Sequence, residues 1–108
     1  MAQEKGAKIV LVTCGRISEA RQIARSVVEQ RLAACVNIVS APVESVYRWK
    51  GRVESAKEFL LIIKTTRRRL ALLEDRIAAM HSYDVPEFLV LEVAGGSEEY
   101  LSWLAGNA

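Results

Sequence analysis

The chain has 108 residues, 51% of them hydrophobic and 26% charged, with a formal net charge of +2. That length supports one domain with its own core, residues 1–108, and excludes two; the composition excludes a disordered tail. A charge so close to neutral makes no case for nucleic acid as a partner.

The first eight residues, MAQEKGAK, are polar, and the apolar run behind them is too short for a signal peptide or a membrane span. The expectation is a cytoplasmic protein with no membrane partner. Residues 8–14 (KIVLVTC) form a strand by β-branched content, apolar on both faces. Gly15 ends it, Ser18 is placed to cap a helix, and Glu19 sits favourably in the first turn. That helix runs to about Leu32, with Ala20, Ile23, Ala24, Val27, Val28 and Leu32 on one buried stripe.

Residues 31–64 read as a long antiparallel hairpin turning at Lys50–Gly51, where Gly51 supplies the positive φ of a two-residue turn. This turn sets Trp49 opposite Arg52, Tyr47 opposite Glu54 and Glu44 opposite Lys57. A straight strand from Ala33 to Trp49 would span roughly 55 Å, against about 34 Å for a compact body of this length. Pro42, which cannot donate a ladder hydrogen bond, marks the break. Residues 34–39 and 59–64 then lie in a sheet, and residues 43–56 project as an arm carrying Val46, Tyr47, Trp49 and Val53. A two-stranded ribbon is marginal alone, so a partner is expected to cover it.

Thr65 or Thr66 is placed to cap a second helix running to about Met80, with Leu70, Leu73, Ile77 and Met80 facing the core. Residues 81–86 form a loop, because Val85 precedes a proline. Residues 88–93 (FLVLEV) are the next strand. Gly95–Gly96 turns, Ser97 caps a short helix over residues 98–104, and Gly106 is placed to end it. The order β-α-β-β-α-β plus a short helix is the ferredoxin-like α+β arrangement, with two helices on one face of a four-stranded antiparallel sheet. The other face of such a sheet ordinarily reads polar. Here residues 9–12, 60–63 and 88–91 supply apolar side chains to both faces, each worth about 1.5–3 kcal/mol when buried. With no chain left to cover that face, further subunits are expected to do so.

Five stretches carry a family resemblance: RLAACVN at 31–37, YRWKG at 47–51, KTT at 64–66, HSYDVPE at 81–87 and YLSWL at 100–104. In this order and spacing the chain resembles the CutA divalent-cation tolerance proteins. The resemblance implies a ferredoxin-like subunit in a tight homotrimer, its sheets packed about the three-fold axis and its arms joining neighbours. It also implies a cytoplasmic protein linked to tolerance of copper and other divalent ions, and a likeness to trimeric PII signalling proteins that sense ligands at subunit clefts. Two positions depart from the family pattern. Many members have proline where this chain has Ser82, and some have cysteine where it has Val12. Cys14 therefore does not stand in for the thiol proposed to bind copper in those members.

The chemistry-bearing residues allow more than one use. His81, the single histidine, is a candidate copper or zinc ligand, with Glu87 beside it and another subunit completing the set; it also suits a helix C-terminus. Cys35 is a candidate soft ligand for copper, or a thiol buried in the sheet; Cys14 and Cys35 lack the spacing of a dedicated metal or redox motif. Arg67, Arg68 and Arg69 find no carboxylate one turn on; they form a solvated face or meet an anionic partner. Glu58, Lys64, Tyr83 and Asp84, at strand ends and in the loop after the second helix, are the candidate lining of an inter-subunit cleft. Tyr47, Trp49 and Val53 are the candidate subunit contacts. No Ser-His-Asp set, phosphate loop or H-E-x-x-H motif points to catalysis, and no organic cofactor is implied. A small-ligand sensor and a stable trimeric scaffold with incidental metal binding are the rival readings.

Overall fold

The computed structural model describes residues 6–108. The elements are β1 (Ala7–Cys14), α1 (Ile17–Glu29), β2 (Cys35–Ile38), β3 (Val43–Trp49), β4 (Arg52–Thr66), a 3-10 turn (Arg67–Arg69), α2 (Leu70–Met80), β5 (Leu89–Glu92) and α3 (Glu98–Asn107). All strand pairings are antiparallel, in the order β2-β4-β1-β5, and β3 pairs with the outer half of β4. The sheet thus has five strands where four were expected, because the first strand of the long hairpin is divided in two.

The division lies at residues 39–42. Ile38 is opposite Leu61, and Val43 is opposite Glu58. Four residues on one side therefore face two on the other, and Pro42 closes the surplus. Beyond it the ribbon holds the expected register: Glu44 with Lys57, Tyr47 with Glu54 and Trp49 with Arg52. Lys50 and Gly51 both take positive φ, 51° and 79°, as a two-residue turn of this hand requires. The arm stretches the molecule to 44 × 25 × 25 Å.

One face of the sheet carries the core. Val10, Val12 and Cys14 of β1 and Leu61 and Ile63 of β4 pack with Ala20, Ile23 and Val27 of α1 and Leu73 and Ile77 of α2. The other face presents Ile9, Leu11, Leu60 and Ile62, partly exposed, beside Leu89 and Leu91 of β5 at 55% and 45% exposure. It is not bare throughout. Leu101 and Leu104 of α3 close over Ala7 and Ala34 at one end, so the chain itself covers part of that face.

Several boundaries differ from the sequence reading. Arg16, not Ser18, precedes the first turn of α1, and its side chain makes no cap. The helix stops at Glu29 because Arg31 turns left-handed, at φ 58°. Leu32 N–H then reaches Val27 O and Arg31 N–H reaches Val28 O, which satisfies the helix end. Neither Thr65 nor Thr66 caps the second helix. The Thr65 hydroxyl donates to Leu32 O at 2.7 Å, and the chain enters α2 through the 3-10 turn of three arginines. The last strand spans Leu89–Glu92 instead of residues 88–93, and α3 continues through Gly106 to Asn107. Ser97 does cap α3, accepting from Tyr100 N–H at 3.3 Å.

Candidate functional site

Where β1 ends, the loop after α2 folds back over it. His81 terminates α2, its N–H bonded to Ile77 O. Its ring is buried. Nδ1 lies 3.1 Å from Tyr83 N–H, which can only donate; Nδ1 therefore accepts, and Nε2 carries the hydrogen that it gives to Thr13 O at 2.7 Å. Both ring nitrogens are thus committed to main-chain groups. Beside the ring, Glu19 stands 3.6 Å from Nδ1 and accepts from the Ser82 hydroxyl at 3.1 Å. Burial, and then the carboxylates of Glu19 and Glu58, push the Cys14 thiol up to about 12, so it stays protonated at neutral pH. Cys14, Glu19 and His81 place their ligand atoms within 4.8 Å of one another, and all three are buried.

Tyr83 joins this cluster to the surface. Its ring tilts against His81 with centroids 4.7 Å apart, and its hydroxyl donates to Glu58 Oε2 at 2.7 Å. Burial, followed by that bond to Glu58, raises the Tyr83 phenol well above its usual range. Gly15 makes room for the ring, since a Cβ there would stand 3.1 Å from the Tyr83 hydroxyl oxygen. Outside lies a cleft of about 580 Å³, formed where the arm meets the loop. Thr13, Ser45, Tyr47, Trp49 and Glu58 enter it from the strands; Tyr83, Asp84, Val85 and Glu87 enter from the loop. Burial first, and then Glu58, holds the Glu87 carboxyl above the usual range.

The candidate cleft residues Glu58, Tyr83 and Asp84 come together here. Lys64 does not join them: it lies six residues along β4 from Glu58, about 20 Å away at strand rise, with its ammonium 5.6 Å from the centre of the Tyr100 ring on α3. The three candidate ligands separate as well. His81 is in the buried cluster, Glu87 is in the cleft, and Cys35 sits on β2 opposite Lys64. Tyr47 and Trp49 line the cleft and remain 44% and 45% exposed; Val53, on the arm, is 66% exposed. Of the three arginines, Arg68 donates to the Ala108 main-chain oxygen, and Arg69 Nε is buried with no hydrogen-bond partner among the described residues. The sequence reading missed Cys14 and Glu19 as neighbours of His81. More than sixty residues separate them from it, and no local spacing signals the meeting.

Residues 8–107 match the family described as CutA1 divalent ion tolerance protein. A curated relative, the divalent-cation tolerance protein CutA of Thermus thermophilus, is 47% identical over 100 residues, covering 93% of this chain and 96% of its own. Human protein CutA is 43% identical over 93 residues; they cover 86% of this chain but 51% of the human one, so the chain spans about half the length of that relative. The same holds for the chloroplastic CutA of Arabidopsis thaliana, of which 54% is covered. Among solved structures, the Thermus thermophilus protein superposes with a TM-score of 0.92 at 46% identity, over 94% of this chain and 98% of that one. CutA1 of the psychrotroph Shewanella sp. SIB1 gives 0.91 at 33% identity, over 97% of both chains. The Archaeoglobus fulgidus structure, described as a periplasmic divalent cation tolerance protein, gives 0.87 at 37% identity, over 91% and 94%. A match over this much of the chain, on the same fold, leads to one assignment: the chain belongs to the CutA1 divalent ion tolerance family.

Proposed function

We propose that this protein is a cytoplasmic homotrimer that binds copper or another divalent metal without catalysing a reaction. The observation that carries the metal reading is the buried meeting of Cys14, Glu19 and His81. A thiol, an imidazole and a carboxylate are the donor types that copper and zinc select. The donor set fits such an ion, but its resting bonds do not: an ion at His81 Nδ1 displaces the Tyr83 N–H, and one at Cys14 displaces the thiol proton. Binding on this reading releases the Cys14 thiol proton and loosens the loop that carries Tyr83. Glu87 and Cys35 act as ligands only where a second subunit completes a site. The trimer rests on the apolar second face, of which α3 covers one end. Two unpaired cysteines suit a reducing compartment.

Calorimetric titration with Cu(II) and Zn(II) under chelator competition tests the metal reading. We expect His81→Ala and Cys14→Ala each to weaken binding at least tenfold, with one proton released per ion. An affinity that neither change moves removes the cluster from the site. Light scattering tests the assembly, with a mass three times the 12.0 kDa chain expected. A second reading, a PII-like sensor of a small ligand, is favoured by the cleft, which is large enough for an organic molecule.

A further inference from the structure

Cys14, Glu19 and His81 are shut in. Cys14 is fully buried in the core under α1 and α2, Glu19 is 8% exposed and His81 9%. Ser82 and Tyr83, which lie against Glu19 and His81, are exposed. The way in from solvent therefore leads past these two residues. They also occupy the donors. The Tyr83 N–H takes the single lone pair of His81 Nδ1 at 3.1 Å, and the Ser82 hydroxyl takes one of those on Glu19 Oε2, also at 3.1 Å. The Tyr83 ring tilts against the imidazole with centroids 4.7 Å apart. Consecutive residues of one loop thus stand where an ion would, and a single displacement frees both donors.

What that displacement leaves is already arranged for an ion. His81 Nε2–H stays on Thr13 O at 2.7 Å. That bond fixes the tautomer and keeps Nδ1 turned to Glu19, as main-chain carbonyls do for ligand histidines. Glu19 Oε2 lies 3.6 Å from Nδ1, near the roughly 3.4 Å that separates two donors each about 2.0–2.1 Å from one tetrahedral ion. The loop itself is held from its far side. The Tyr83 hydroxyl donates to Glu58 Oε2 on β4 at 2.7 Å, and Glu58 is not one of the three clustered donors. We propose that Ser82 and Tyr83 are the gate of the ion site, and that the Tyr83–Glu58 hydrogen bond is the latch that sets how tightly the site takes an ion. The proposal rests on the metal reading above and adds its regulation. A bound ion and the closed gate compete for the same lone pair, so a contact that stabilises the closed loop opposes binding. Breaking the latch therefore raises the affinity, whereas breaking a contact that holds ligands in place lowers it.

The test is calorimetry with Zn(II) under chelator competition on the intact protein at neutral pH. Tyr83→Phe keeps the ring and the main-chain N–H and loses only the hydroxyl. It is expected to tighten zinc about tenfold, the worth of one hydrogen bond to a charged acceptor. Ser82→Ala is expected to tighten it severalfold. Glu58→Ala is expected to match Tyr83→Phe, and the double variant to add nothing further, because both changes break one bond. The urea midpoint without zinc is expected to fall in each, so affinity rises as stability is lost. Cys14→Ala is expected to weaken zinc at least tenfold in the Tyr83→Phe background as well as alone. Saturation with zinc is expected to speed hydrogen exchange at the Tyr83 amide. Zinc affinity that Tyr83→Phe leaves unchanged or lowers, while Cys14→Ala still weakens it, overturns the gate and leaves the metal reading standing. Tightening that Cys14→Ala does not reverse places the ion elsewhere and overturns both. Absence of zinc binding from the wild type and from Tyr83→Phe alike also overturns both.

Discussion

The two faces of one sheet, built from alternate residues of the same strands, end in different environments. On the helix side Val10, Val12, Leu61 and Ile63 are fully buried. On the other side their sequence neighbours Leu11 and Ile62 are only partly covered, and Leu89 and Leu91 are about half exposed. Composition does not separate these faces; both are aliphatic. What separates them is that α1 and α2 lie over one, and only α3, at one end, lies over the other. Apolar alternation in a strand reports that a face will be covered without naming the cover.

That comparison is open to attack by substitution. Leu61→Ala empties space in a closed core and is expected to cost about 3–5 kcal/mol, read from the urea midpoint. Its neighbour Ile62→Glu is expected to leave the far-UV spectrum intact and to reduce the light-scattering mass to the 12.0 kDa chain. A retained multimer would show that the second face is not where subunits meet. His81→Ala strips partners from the Thr13 carbonyl and the Tyr83 N–H, and is expected to cost about 2–3 kcal/mol. The cysteines read the faces directly, because Cys14 lies on the helix side and Cys35 on the other. With iodoacetamide at pH 8 the dissociated Ile62→Glu chain is expected to be alkylated at Cys35 alone, since Cys14 is buried and holds its proton to about pH 12. The assembled protein is expected to resist at both. The smallest effect belongs to Glu87, whose folded pKa is raised. The folded chain therefore holds that proton more tightly than the unfolded one, and stability is lost as pH rises from the ordinary carboxylate range through the raised value. Glu87→Gln is expected to raise the urea midpoint slightly at pH 7 and to leave it unchanged at pH 3.

The hairpin was legible because its information is local. Lys50 and Gly51 set the turn, and the turn sets every pair back to Val43. The split at Pro42 was legible from the missing donor, although the size of the surplus was not. Helix starts were harder to read. Ser18 and Thr65 have good capping side chains, but Ser18 lies inside α1, and Thr65 spends its hydroxyl on Leu32, a contact no spacing reveals. The site was half legible. Glu58, Tyr83 and Asp84 meet because the middle of β4, where Glu58 sits instead of at a strand end, lies beside the loop after α2. Lys64 was grouped with them as a strand-end residue of a cleft between subunits; within one chain six residues of strand separate it from Glu58 and set its ammonium by Tyr100. The Cys14–Glu19–His81 cluster depends on how the loop returns over β1, which only the folded chain shows.

The surplus of two residues before the arm has a geometric consequence. Because two is even, odd-numbered residues keep the same side of the ribbon from Cys35 and Asn37 through to Tyr47 and Trp49. Shortening the segment around Ser40 and Ala41 by one residue would invert the arm, sending both rings to its back and parting them from Glu58. Shortening it by two would straighten the ribbon and leave the rings facing as they do now. The cleft wall is thus fixed by whether a count is odd or even, in a stretch that contributes no side chain to it.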